Sequence, residues 1–255
     1  MSAPANNTGA PALGFFCVTG NPLVAELYGV VGADFVVVDM EAAPMDKADA
    51  LSCVQALAST SAAAYVRVPW MERHWIEHAL DTGADGVLVP KVDTAVEAEK
   101  AVAAAYFPPR GQRGLNPVRA SSFFTAFDDY IRTANSRTQC LVQVESRLAV
   151  ANVGEIAAVP GLSGLFIGTG DLAADLGHPG DMACAGMAEA RASTLAACAE
   201  HDLVPGIFAY SLELARHYAD EGFRFIAIGN EIKMLASETA RALSVVGAQH
   251  ARCSR

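Results

Sequence analysis

Four short apolar runs in this chain end in side chains able to do chemistry: Val38-Asp39-Met40-Glu41, Val66-Arg67-Val68, Val144-Glu145-Ser146 and Gly168-Thr169-Gly170-Asp171. If the runs are strands of one parallel barrel, their ends converge on one mouth. Glu145 and Asp171 form the sharpest pair. Hard divalent cations prefer carboxylate oxygens, and Mg²⁺ often takes one or two carboxylates, waters and the substrate. Such an open site can chelate a 2-oxo acid through its carboxylate and keto oxygens, with the metal as Lewis acid for a developing enolate. Arg67 would face the same oxygens and stabilise their charge. The turn Gly168–Asp171, ahead of a helix, offers backbone N–H groups to the substrate carboxylate. Each residue alone also has a structural account: Glu145 as an acid opening the next helix, Asp171 as a helix N-cap, Arg67 as one half of an ion pair. Four such ends on one face favour chemistry.

The elements that must position these groups follow from periodicity. Candidate strands are Leu13–Val18, Asp34–Asp39, Ala63–Val68, Gly86–Pro90, Cys140–Glu145, Gly164–Gly168, Val204–Phe208 and Phe223–Ile228. Amphipathic Ala-rich stretches separate them, among them Asp46–Ser59, Glu72–Thr82, Thr94–Ala105 and Gly186–His201. Continuous apolar strands such as FVVVD and GVLVP suit a parallel sheet buried on both faces. Eight strands alternating with helices predict a closed (β/α)₈ barrel over residues 13–255, after a flexible tail of residues 1–12. A doubly wound open sheet is the alternative, but no GxGxxG follows the first strand. Gly32-Ala33-Asp34 and Gly83-Ala84-Asp85 mark returns from helix to strand. The Pro/Gly-rich stretch from Pro108 to about Asn135 is a candidate functional loop.

Composition narrows the function classes. Of 255 residues, 52% are hydrophobic and 18% charged, enough for a large core and against disorder. A formal net charge of −10 disfavours nucleic acid and anionic membranes as partners. None of the six cysteines forms a CxxC pair, so they are read as buried apolar residues in a reducing compartment. No apolar run has the length of a membrane helix. The start, MSAPANNTGAPA, lacks the basic region and apolar core of a signal peptide, so a cytoplasmic protein is expected.

The series VVDMEAAP, YVRVPW, ALDTGADGVLVPKV, FPPRGQRG, RASSFF, LVQVES and FIGTGDLAADLG, running from about Leu13 to Leu243, resembles the HpcH/HpaI family of class II pyruvate aldolases and citrate-lyase-like enzymes. The resemblance implies metal ligands at Glu145 and Asp171, for Mg²⁺, Mn²⁺ or Co²⁺, and an enolate-stabilising role for Arg67. It also implies substrate-carboxylate binding by the Gly170 and Asp171 amides, an acid/base part for Asp81, and a substrate-binding part for Arg113 in the long loop beside Gly114. The family fold adds a last helix exchanged between subunits, in dimers and often hexamers.

One departure matters. Aldolases of this family read D-G-E-H-A-P after their second strand, and the histidine is the acid/base. Here the segment is Asp39-Met40-Glu41-Ala42-Ala43-Pro44, and alanine cannot transfer a proton. General acid–base catalysis is worth about 10²–10⁴ in rate. His178, in the stretch after Asp171, is the leading replacement; His74, His78 and Glu41 are weaker ones. Three functions are therefore expected to compete. The first is 2-oxo acid aldolase chemistry with a displaced base. The second is a citrate synthase-type condensation of oxaloacetate with acetyl-CoA, as in a siderophore-pathway branch of the family. The third is 2-oxo acid binding without catalysis.

Overall fold

The computed structural model describes residues 9–253, with side chains to residue 246. Eight parallel strands close in sequence order into a barrel: β1 (Ala12–Cys17), β2 (Phe35–Asp39), β3 (Ala63–Arg67), β4 (Gly86–Val89), β5 (Gln139–Val144), β6 (Gly164–Ile167), β7 (Val204–Ala209) and β8 (Phe225–Asn230). The helices are α1 (Pro22–Val30), α2 (Lys47–Leu57), α3 (Arg73–Asp81), α4 (Ala95–Ala105), α5 (Phe127–Arg137), α6 (Arg147–Ala151), α7 (Val153–Ala157), α8 (Thr169–Asp175), α9 (Ala185–Glu200), α10 (Leu212–Glu221) and α11 (Glu231–Cys253). The fold is the expected (β/α)₈ barrel. Of the expected tail, residues 1–8 lie outside the described region, and the chain enters β1 at Ala12.

Local chemistry sets the boundaries. Asp46 and Asp49 close a reciprocal capping box on α2, and Thr94 and Glu97 do the same on α4. β2 is buried along its whole length because it faces two layers. Val36 and Val38 pack outward among the helices, while Phe35 and Val37 point into the barrel. The barrel interior is a stack of rings: Phe35 lies on Phe225 at 3.6 Å, and Tyr65 meets Phe225 edge-on at 5.0 Å. Gly14 makes room for that stack, since a Cβ there would stand 2.5 Å from the Phe35 ring.

The long segment after α4 differs from its expected form in extent and place. It is irregular only to Ala126, and α5 then begins at Phe127. Asp128 and Asp129 open that helix and Arg137 closes it, charges that suit the helix dipole. The irregular part lies against the end of α3, where Ala120 N–H donates to the Asp81 carbonyl and Gly114 N–H to Glu77 at 2.7 Å. That is the end of the barrel where strands begin.

Five described cysteines, Cys17, Cys53, Cys140, Cys184 and Cys198, are free and buried. Among the described residues no helix is long and apolar enough to cross a membrane. α11 leaves the barrel surface: its apolar Leu235 and Leu243 are exposed, and so are Leu23, Leu27, Val30 and Val31 on α1 and just after it.

Phe225→Ala is expected to destabilise the protein by about 3–5 kcal/mol, because the rings around it cannot close the void. Urea unfolding with far-UV circular dichroism measures this. A loss under about 1 kcal/mol would show that the ring stack does not hold the barrel together.

Candidate active site

The mouth of the barrel is built from strand ends. Asp39 and Arg67 end β2 and β3 and are register partners across the sheet. The guanidinium grips the carboxylate twice, Nε to Oδ1 at 2.8 Å and Nη2 to Oδ2 at 2.7 Å. Arg67 Nη1 also reaches Glu41 at 2.8 Å and Gln143 at 3.4 Å, and the Phe16 ring lies 5.0 Å from the guanidinium carbon. Burial opposes the Arg67 charge, but Asp39, Glu41 and Glu145 outweigh it and hold its pKa above the ordinary value.

Glu145 follows β5 and is almost fully buried. One carboxylate oxygen accepts the Lys91 N–H at 2.8 Å and the other the Gln143 side-chain amide at 3.0 Å. Lys91 adopts φ 55 to aim its N–H this way, and its ammonium stands 3.1 Å from Glu41 at the rim. Burial, then the Glu41 charge, then Asp171 push the Glu145 carboxyl up to about 7, against the pull of the Lys91 N–H and Arg67. Asp171 stands exposed in the first turn of α8. Arg67, Gln143 and Asp171 face a cavity of about 260 Å³ that Ala42, Tyr210 and Asn230 help to line.

This donor set fits a hard divalent cation. Asp39, Glu41, Glu145 and Asp171 bring four carboxylates to the mouth, while Arg67 and Lys91 bring two cations. The two charges left over are the complement of one divalent ion. Each Glu145 oxygen has a single protein donor and retains lone-pair capacity for an ion. Gly168 cradles that carboxylate, since a Cβ there would stand 2.5 Å from a Glu145 oxygen. Among the described residues no group of three metal-binding side chains occurs. Two carboxylates as ligands would leave coordination places for water and substrate, as Mg²⁺ sites commonly do.

Of the residues expected from the sequence, the structure gathers Arg67, Glu145, Gly170 and Asp171 at this mouth. Asp81 and Arg113 pair at 2.6 Å at the other end of the same barrel, where the Arg113 guanidinium also donates to Tyr130 and lies on the Phe107 ring. Burial raises the Asp81 carboxyl despite that pairing. His178 is exposed in the turn after α8 and does not line the cavity. His74 is exposed beside Glu72, and the His78 Nε2 is buried with no hydrogen-bond partner among the described residues. Glu41 is held by Arg67 and Lys91 and so orders its loop.

Lys91, Tyr210 and Asn230 also stand at strand ends, and reading the ends of β4, β7 and β8 for polar groups would have found them. A larger cavity of about 780 Å³ opens where strands begin. Three of its charged groups are engaged by the fold, with Asp34 on the Leu13 N–H, Asp85 on the Ala64 N–H and Arg110 on the Asn135 carbonyl.

The fold and this mouth define a barrel enzyme whose carboxylates and arginine come from different strand ends. The chain belongs to the HpcH/HpaI aldolase/citrate lyase family, whose model matches residues 12–237. It is 37% identical to a 5-keto-4-deoxy-D-glucarate aldolase of Klebsiella pneumoniae over 90% of both chains. It is 39% identical to a hydroxypyruvate/pyruvate aldolase of Deinococcus radiodurans, over 92% of this chain and 85% of that one. A crystal structure of a family member from Burkholderia cenocepacia superposes with a TM-score of 0.89 at 37% identity, covering 93% of this chain and 95% of that one. The chain is accordingly an enzyme of the aldolase type, a carbon–carbon lyase.

Gly168→Ala displaces the Glu145 carboxylate without touching it chemically. It is expected to weaken Mn²⁺ binding by about 10–100-fold, the usual cost of disturbing a group that orients a ligand. Isothermal titration calorimetry reads the affinity; an unchanged value would separate Gly168 from the carboxylate's placement.

Proposed function

We propose that this protein is a divalent-metal-dependent 2-oxo acid aldolase. Glu145 and Asp171 hold the cation, Mg²⁺ or alternatively Mn²⁺ or Co²⁺, and pyruvate or oxaloacetate is its chelating substrate. The cation would supply Lewis-acid polarisation of the keto group. Arg67, fixed by Asp39, presents its guanidinium to the oxygen that gains charge as the enolate forms. The first-turn amides of Gly170 and Asp171 face the substrate carboxylate, and Phe16, Phe166 and Phe208 form an apolar wall. The observation that carries this reading is Asp171 and the clamped Arg67 on one cavity, with buried Glu145 close enough behind its wall to feel both charges. The free buried cysteines and acidic charge fit a cytoplasmic enzyme with a small-molecule substrate.

Ala42 in the cavity wall favours one second reading, condensation of oxaloacetate with acetyl-CoA, in which the 2-oxo acid is the electrophile. Release of free CoA from that pair would identify it.

The exposed apolar residues of α11 and α1 support a homo-oligomer in which α11 crosses to a second copy. Asp81 and Arg113, at the far end of their own barrel, can take part in catalysis only where a neighbouring copy presents them to a mouth.

Cleavage of a 4-hydroxy-2-oxo acid, followed by pyruvate release, is expected to stop with EDTA and return with Mn²⁺. Glu145→Gln should lower kcat/KM by at least about 10²-fold, since several kcal/mol of charge stabilisation depend on the cation. Absence of metal-dependent turnover, together with absence of pyruvate proton exchange, would sink the aldolase reading. Leu27→Asp combined with Leu235→Asp should convert the oligomer to monomer by light scattering; an unchanged mass would remove the helix exchange.

A further inference from the structure

Few groups in the walls of the mouth have a proton to give once Glu145 is committed to the cation. Arg67 commits its donors to Asp39, Glu41 and Gln143. The Gln143 amide donates to Glu145, and the Thr169 hydroxyl donates to the Phe208 carbonyl at 3.0 Å. Lys91 is held at the rim by Glu41. Asn230 carries an amide, which is no acid.

Tyr210 is different. It follows β7, lines the cavity, and packs its ring edge-on against Phe208 at 4.8 Å. Lys233 fixes it from behind, with its ammonium 2.6 Å from the Tyr210 carbonyl oxygen and 5.1 Å from the ring centroid. The hydroxyl stands over Gly170, where a Cβ would lie 2.6 Å away. Among the described residues no protein group hydrogen-bonds this hydroxyl. A phenol is protonated at neutral pH and serves as a general acid in other enzymes.

We propose that the Tyr210 hydroxyl is the proton donor to the carbonyl oxygen of the aldehyde substrate, a catalytic role in the mouth that Ala42 leaves without a histidine. The inference rests on the aldolase reading above. In the addition direction, C3 of the 2-oxo acid enolate bonds to the aldehyde carbon and the carbonyl π pair moves to oxygen. That oxygen takes the Tyr210 proton, and the phenolate regains one from water. In cleavage the same steps run backwards: the phenol first yields its proton to hydroxide, the phenolate takes the proton of the substrate hydroxyl, the carbon–carbon bond breaks, and its electron pair returns to the enolate.

The test compares native protein and Tyr210→Phe, both loaded with Mn²⁺, in two reactions. Oxaloacetate decarboxylation makes the same enolate with no aldehyde oxygen to protonate. Addition of pyruvate to glycolaldehyde requires that proton. Tyr210→Phe is expected to keep decarboxylation within about threefold and to lose about 10²-fold or more in the kcat of addition, with the aldehyde KM little changed. Addition within about threefold of native overturns the proposal. So does a parallel fall of both reactions, which would make Tyr210 a structural residue. Native protein inactive in both reactions would refute the aldolase reading itself, and this role with it.

Discussion

Arg67 and Asp39 leave water together at the ends of adjacent strands. Desolvating two such charges costs several kcal/mol per ion, and only near-ideal geometry offsets it. The barrel supplies that geometry through backbone register, because Asp39 and Arg67 are paired across β2 and β3. Two parallel hydrogen bonds then fix the plane of the guanidinium. The constraint passes onward through Nη1 to Gln143, and through the Gln143 amide to Glu145. From the other side the Lys91 N–H holds the same carboxylate. A left-handed lysine costs roughly 1–2 kcal/mol, so the hydrogen bond to Glu145 must offset a local strain. A one-residue slip of β2 against β3 would dismantle the whole chain of contacts.

The same network explains why Glu145 lacks a counter-charge. Asp39 and Glu41 share the positive charge of Arg67 and Lys91, and little of it is left for Glu145. Burial and the neighbouring carboxylates therefore raise the proton affinity of Glu145. A group that holds a proton near neutral pH for lack of a counter-charge also gains from a divalent ion in that place. Asp171, exposed in the first turn of α8, carries the second charge without the burial.

Much of this was legible in the sequence, and the reason is physical. FVVVD and GVLVP are apolar throughout because their strands are buried on both faces, and Asp46 and Thr94 cap helices where a side-chain acceptor was needed. The rule that strand ends meet at one mouth placed Arg67, Glu145 and Asp171 together. It gives no position to residues on helices and long connections. Asp81 and Arg113 sit where α3 ends and β4 is about to begin, a place their motifs do not encode. His178 shares a loop with Asp171, yet the turn after α8 carries it into solvent. Tyr210 is hard to see in the sequence because the large apolar residues that mark β7 stop at Phe208, while the strand continues to Ala209.

Charge stabilisation and proton transfer place different demands on a barrel. Asp39, Arg67, Gln143, Glu145 and Lys91 must be correct together, since each is held by the next, and they stand at the ends of neighbouring strands from β2 to β5. A proton donor needs to reach only one oxygen of the substrate, and any of the eight strand ends can supply it. A histidine can therefore give way to Ala42 on the β2 side while the Arg67–Glu145 network stays whole. The donor can then stand across the cavity on β7, where Tyr210 is supported by Phe208 and Lys233 rather than by the charged network. Because the two supports are separate, replacing the donor leaves the clamp on Arg67 undisturbed.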